Sequence, residues 1–265
     1  MVLPRSAGAL TMRVSSGELL AQLKQSFEAF GVSQGEYESA AASVLALERW
    51  GFEGLRWLET ALSRLRTENR PAPQVAYVLD GLVVDCFESS ALFGLVPCIE
   101  RLYVNGWRNA GGQASFKNCR EPAFILPSLI KVCERGCSAG MYWWTEGEVN
   151  LLHTVRLGSG TESVRVSSGV WASRDVVWPD AKVLITREEK DLESFERDLI
   201  QPSFELRERR GSDEHRALFE RSSKSNIEIN PWLWDGLQEL GREMLVAGTV
   251  ESRMGAGADP RPTEL

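Results

Sequence analysis

Three short stretches hold residue types that can do chemistry. The first is Gly51-Phe52-Glu53-Gly54-Leu55-Arg56, where a carboxylate and a guanidinium lie three apart at a break between two apolar repeats. The second is Asn118-Cys119-Arg120-Glu121-Pro122, which reads as a strand-to-helix turn, the place where open α/β sheets bind ligands. The third is Thr249-Val250-Glu251-Ser252-Arg253-Met254-Gly255-Ala256-Gly257-Ala258-Asp259, where an arginine stands beside glycines that let amides approach an anion closely. Each also has a plain structural reading: a helix-hairpin turn with a surface ion pair, a capped helix start, and a tail with a salt bridge. Taken as chemistry, Arg56, Arg120 and Arg253 are forks for carboxylates, Asn118 is a further donor to the same ligand, and Glu53 is a candidate acid/base.

The other reactive residue types point less clearly to a site. The two histidines, His153 and His215, have no ligand partner close in sequence, so triad and zinc chemistry start without support. Cys133 and Cys137 would share a helix face, but buried small hydrophobes explain them better than a soft-metal site. Gly158-Ser159-Gly160-Thr161-Glu162-Ser163 lacks the lysine of a phosphate loop and reads as a hairpin turn. The nine tryptophans suit core or interface anchors.

Composition bounds these readings. The 265 residues are 43% hydrophobic and 25% charged, ordinary usage for a chain with a real core. The net charge of −7 argues against a nucleic-acid partner. No apolar run reaches the roughly 18 residues of a membrane helix. The five cysteines form no regular framework and no secretory segment is evident, which places the chain in a reducing cytoplasm. With 6 Lys against 24 Arg, the cationic surface is mostly guanidinium.

The elements that must position these residues are legible as a pattern. Capping boxes at Ser15–Glu18 and Ser33–Glu36 open two helices, and Leu55, Leu58, Leu62 and Leu65 mark a third before Pro71 and Pro73. Val75–Leu79 and Leu82–Cys86 are short strands around Asp80-Gly81. Helices are expected over Leu92–Val104 and Pro122–Arg135, and strands over Gln113–Lys117, Ser138–Trp144, Val149–Leu157, Val164–Trp171 and Lys182–Ile185. A third capping box, Thr186–Glu189, opens a charged helix, and Pro231 opens a last one. The expected fold is α/β or α+β. A three-helix module spans residues 1–72, a mixed sheet with helices spans 73–230, and a terminal helix with a Gly/Pro-rich tail spans 231–265.

Two resemblances follow. Glu251-Ser252-Arg253-Met254-Gly255-Ala256-Gly257, with the helical module Ser16–Arg66 and its Gly54-Leu55-Arg56-Trp57-Leu58 turn, resembles a bacterial family of unknown function. Residues 14–144 more distantly resemble the malate/lactate/sulfolactate dehydrogenases, NAD(P)-dependent oxidoreductases unrelated to the Rossmann type. In that family two opening helices lead to a Ser-His-Gly motif followed by Arg. Here Gly54 and Arg56 match, and Glu53 stands in place of the His. Leu79-Asp80-Gly81 and Phe93-Gly94 also fit. Asn118 matches the start of an Asn-x-x-His-Phe-Gly turn whose His and Gly are not kept. The chain is shorter than family members and lacks evident glycine-rich cofactor segments. The resemblance implies a shortened dehydrogenase scaffold, an NAD(P) cofactor and a homodimer. With both histidines replaced, it implies an enzyme or enzyme-derived protein acting on a small amino or keto acid. The alternative is a non-catalytic subunit or ligand-binding partner of a biosynthetic enzyme.

Overall fold

A computed structural model describes residues 11–78, 81–108, 111–145, 151–158, 164–171, 180–199, 204–224 and 226–243. In chain order the elements are β1 (Met12–Val14), α1 (Ser16–Glu28), α2 (Gln34–Arg49), α3 (Gly54–Leu65), β2 (Gln74–Val78), β3 (Gly81–Ser90), α4 (Val96–Arg108), β4 (Gly111–Arg120), a 3-10 turn (Pro122–Ile125) and α5 (Leu126–Glu134). There follow β5 (Ser138–Thr145), β6 (Leu151–Leu157), β7 (Val164–Trp171), β8 (Ala181–Thr186), α6 (Glu189–Leu199), β9 (Phe204–Arg210), α7 (Ser212–Lys224), β10 (Ile227–Ile229) and α8 (Pro231–Glu243). The three-helix opening and the mixed sheet both form. Strands β1, β9 and β10 go beyond the sequence reading. The Gly158–Ser163 turn lies outside the described residues except Gly158, and the C-terminal tail lies wholly outside them.

Local chemistry sets the helix starts. The Ser15 amide donates to Glu18 at 2.8 Å and the Glu18 amide donates back to Ser15 Oγ at 3.1 Å, closing the first capping box. The Ser33 amide and hydroxyl both donate to the Glu36 carboxylate. Helix α4 begins at Val96 rather than Leu92, which puts Pro97 in the first turn, where a helix does not need its N–H. At the third expected box, Thr186 Oγ1 instead accepts from the Glu188 amide and donates to Asp191.

The main sheet has eight strands in the order β2-β3-β4-β8-β5-β6-β7-β9. Strands β3 and β4 are parallel, joined through α4, and the other neighbours are antiparallel. Along β3 and β4 buried and half-buried residues alternate, so Leu82, Val84 and Cys86 with Ala114 and Phe116 face the helices. One contiguous apolar core runs from Leu19, Leu23 and Phe27 through Leu58 and Leu65 to Val84, Phe116, Leu129 and Ile185. A smaller cluster of Tyr142, Leu152 and Phe195 lies where α6 covers the opposite face. Helix α8 returns to α1, where Ser26 Oγ donates to the Leu237 carbonyl at 2.7 Å. Among the described residues no helix is long and apolar enough to cross a membrane.

Two glycines fix how the layers approach. A Cβ on Gly54 would stand 2.3 Å from the Val44 carbonyl oxygen, so its absence sets the α2–α3 contact. A Cβ on Gly81, at φ +144°, would stand 2.0 Å from the Gln113 carbonyl oxygen on β4.

Candidate functional site

Strands β3 and β4 end side by side, and their ends are distorted. Register shifts between Asp85 and Ser89, and the backbone turns left-handed at Phe87 (φ 51°), Glu88 (φ 61°), Asn118 (φ 50°) and Glu121 (φ 45°). Only Asn among these tolerates that region readily; for the others it costs about 1 kcal/mol each. Such strain persists only where surrounding contacts hold it, and it clusters at functional sites.

Those contacts are polar. Asp85 Oδ1 accepts from the Phe87 amide at 2.9 Å and from Asn118 Nδ2 at 3.0 Å. The Asn118 amide and then the Phe87 N–H hold the Asp85 carboxyl below the usual carboxylate range. The Cys119 amide donates to Asp180 Oδ2 at 2.9 Å. The Arg120 guanidinium pairs with Glu88 at 3.1 Å, both side chains about half exposed. Glu121 receives Arg64 on both oxygens at 2.6 Å. Arg64 also holds Glu68, whose carboxylate accepts from the Ser90 amide at 2.8 Å. Glu68 and Glu121 are mostly buried. Beneath this layer the buried Cys119 thiol is hydrogen-bonded to Cys86, and that bond together with burial pushes it well up.

The residues expected from sequence fall in two places. Asn118 and Arg120 lie at this strained edge. Glu53 and Arg56 lie at the N-terminal end of α3, paired with each other at 3.1 Å and 52% and 48% exposed. Glu53 takes the capping position with φ 54°, but the cap is supplied by Glu48, which accepts from the Leu55 amide at 3.1 Å. Arg64 stands at the other end of the same helix, about 12 Å along the axis from Arg56. Among the described residues no hydrogen bond or ion pair joins Glu53 or Arg56 to Asn118 or Arg120. Arg253, with Glu251 and Asp259, lies outside the described residues.

The sequence reading missed Arg64, Glu68, Asp85, Glu88 and Asp180. Their partners lie 2 to 61 residues away, and most pairs share no motif. His153 is stacked on Trp143, ring centroids 5.0 Å apart, and the His215 side chain lies outside the described residues. Cys133 and Cys137 are free and buried. Among the described residues no three His, Cys, Asp or Glu side chains gather as a metal site.

An NAD(P) diphosphate needs free cations or a glycine-rich turn of amides. At this edge Asp85, Glu88, Glu121, Glu68 and Asp180 outnumber Arg64, Arg120 and Lys117, and both arginines already hold glutamates. These residues do not fit a diphosphate.

A family model described as a protein of unknown function (DUF3726) matches residues 14–93, from the end of β1 to just past β3. No curated protein matches the chain. Solved structures do. A malate dehydrogenase from Pyrococcus horikoshii superposes with a TM-score of 0.63 at 10% identity, over 92% of this chain and 99% of that one. A dehydrogenase from Sinorhizobium meliloti gives 0.62 at 14% identity, over 88% and 100%. A malate dehydrogenase from Entamoeba histolytica gives 0.61 at 9% identity, over 91% and 100%. At these identities the likeness is one of fold: the chain is a mixed α/β protein on a dehydrogenase-like scaffold that spans most of its length.

Proposed function

We propose that this chain is an enzyme-derived protein that binds a small amino or keto acid by its carboxylate at the ends of β3 and β4. Arg120 and Asn118 are the donors, and Arg253 is a further anion partner. The observation that carries this is the Arg120–Glu88 pair, half-exposed and seated among four left-handed residues. An exposed pair of this kind is worth about 0–1 kcal/mol, so an incoming carboxylate exchanges for Glu88 at little cost. The contacts of Asp85 and Asp180 that hold these turns keep the Arg120 and Asn118 backbones in place before the ligand arrives. The malate dehydrogenases on the same fold support a small carboxylic acid as the ligand class. The poor fit of the described edge to a diphosphate supports binding without hydride transfer.

The second reading keeps catalysis. Glu53 occupies the position that the dehydrogenase resemblance gives to a His, with Arg56 3.1 Å away. For Glu53 to act as an acid at neutral pH, a bound ligand must draw Arg56 away and exclude water from a side chain that is now 52% exposed.

Calorimetric titration with a panel of three- to five-carbon hydroxy, keto and amino acids, with and without NADH and NADPH, tests both. Saturable carboxylate binding that weakens at least about tenfold in Arg120→Ala, with the fold intact, is expected. Equal affinity in that variant, or no binding across the panel, overturns the assignment. Turnover lost in Glu53→Gln with binding kept establishes the second reading.

A further inference from the structure

We propose that the ligand selected at the ends of β3 and β4 is an α-amino acid in its zwitterionic form. Its carboxylate takes Arg120, and Glu88, released from Arg120, takes its ammonium. The inference rests on the carboxylate reading above and narrows it, setting amino acids apart from keto and hydroxy acids.

The Arg120–Glu88 pair leaves room for a better partner on each side. Arg120 Nε and Nη2 both donate to one oxygen, Glu88 Oε2, at 3.2 and 3.1 Å. A guanidinium grips a carboxylate best when two parallel N–H groups meet two oxygens. A small ligand carboxylate is free to turn into that arrangement. Among the described residues neither the Arg120 nor the Glu88 side chain has another partner, so opening the pair breaks no wider network.

Once released, Glu88 remains at the site. Its backbone lies between Phe87, whose amide donates to Asp85, and Ser90, whose amide donates to Glu68. Arg120 lies between Cys119, whose amide donates to Asp180, and Glu121, which Arg64 holds. The anion and the cation of the opened pair thus keep their places while a ligand enters between them.

Charge decides which ligand fills the gap. The described carboxylates at this edge are Asp85, Glu88, Glu68, Glu121 and Asp180, against Arg64, Arg120 and Lys117, and Arg64 is already shared by Glu68 and Glu121. A keto or hydroxy acid that takes Arg120 adds a further negative charge and leaves Glu88 without a cation. A zwitterion adds no net charge. Its ammonium, one carbon from its carboxylate, supplies three N–H donors to the carboxylate that the exchange sets free. For partners this exposed, that difference is expected to be about tenfold in affinity.

Calorimetric titration tests it on the wild type, Glu88→Gln, Glu88→Asp and Arg120→Ala. Each three- to five-carbon amino acid of the panel is measured beside its own 2-oxo and 2-hydroxy counterparts. The wild type is expected to bind an amino acid at least about tenfold more tightly than either counterpart. Glu88→Gln is expected to abolish that preference, weakening the amino acid while the keto acid binds as well as before or better, since Arg120 is then free. Glu88→Asp keeps the charge and is expected to retain part of the preference. Keto or hydroxy acids that bind the wild type as tightly as the amino acid overturn the proposal. So does a preference that Glu88→Gln leaves in place. Either result, with binding still lost in Arg120→Ala, leaves the carboxylate reading standing. No binding across the panel, or binding indifferent to Arg120→Ala, overturns both.

Discussion

Asn118 donates its side-chain amide to Asp85 at 3.0 Å across the ends of two parallel strands, and the Phe87 amide meets the same carboxylate oxygen at 2.9 Å. One carboxylate thus fastens two turns that are 33 residues apart in sequence. Because its titration in the folded chain lies below the ordinary value, it stabilises the fold fully above about pH 4, and the contribution is lost as pH falls through the lowered folded value. Urea midpoints measured from pH 7 to pH 2 are expected to show a smaller acid loss in Asp85→Asn than in the wild type. Asn118→Ala is expected to cost about 1 kcal/mol for the left-handed backbone alone, with an added loss near neutral pH that fades in acid.

Packing requires Gly54, and packing with backbone conformation requires Gly81. Gly54→Ala would drive a methyl to 2.3 Å from the Val44 carbonyl oxygen, and Gly81→Ala to 2.0 Å from the Gln113 carbonyl oxygen at a φ of +144°. Each is expected to cost about 3 kcal/mol or more, since backbone atoms cannot rotate aside as side chains do. Thermal unfolding measures this, and an unchanged melting temperature would contradict the α2–α3 or β3–β4 approach.

Arg64 holds two mostly buried glutamates from different parts of the chain, Glu68 and Glu121. Arg64→Met leaves both carboxylates facing each other without a counter-charge, an expected loss of about 3 kcal/mol. The double variant Arg64→Met/Glu121→Gln is expected to regain part of it. Equilibrium denaturation of the wild type, Arg64→Met, Glu121→Gln and the double variant forms the comparison, and additive losses would show that the network is not coupled.

Burial pushes the Cys133 thiol up to about 12, and the hydrogen bond with Cys86, together with burial, raises Cys119 well above an ordinary thiol. Thiolate is the reactive form, so a thiol reagent at pH 8 is expected to leave both unmodified in the native protein and to label them on denaturation. Rapid labelling of the native chain, mapped by mass spectrometry, would show that these strands and α5 open readily.

The local elements were legible because their causes are local. Ser15 with Glu18 and Ser33 with Glu36 announce helix starts within four residues, and the alternation of Leu82, Val84 and Cys86 announces a strand with one covered face. The opening three helices and the mixed sheet follow from such signals. The Asn118–Arg120 turn was also found, since a polar run before a proline marks a strand-to-helix junction. Leu92 and Leu95 extend the apolar repeat and set the expected start of α4 too early; the helix begins at Val96, with Pro97 in its first turn.

What tertiary structure alone decided is which of the polar residues meet. Glu53 and Arg56 lie close in sequence and, among the described residues, pair only with each other. Arg120 meets Glu88 because β3 and β4 run parallel, Arg64 meets Glu121 because the C-terminal end of α3 lies near the end of β4, and Asp180 meets Cys119 because β8 lies next to β4. Spacing in the chain records the turns of a helix and the pleat of a strand. It does not record the order in which strands assemble, and at this sheet edge that order determines the chemistry.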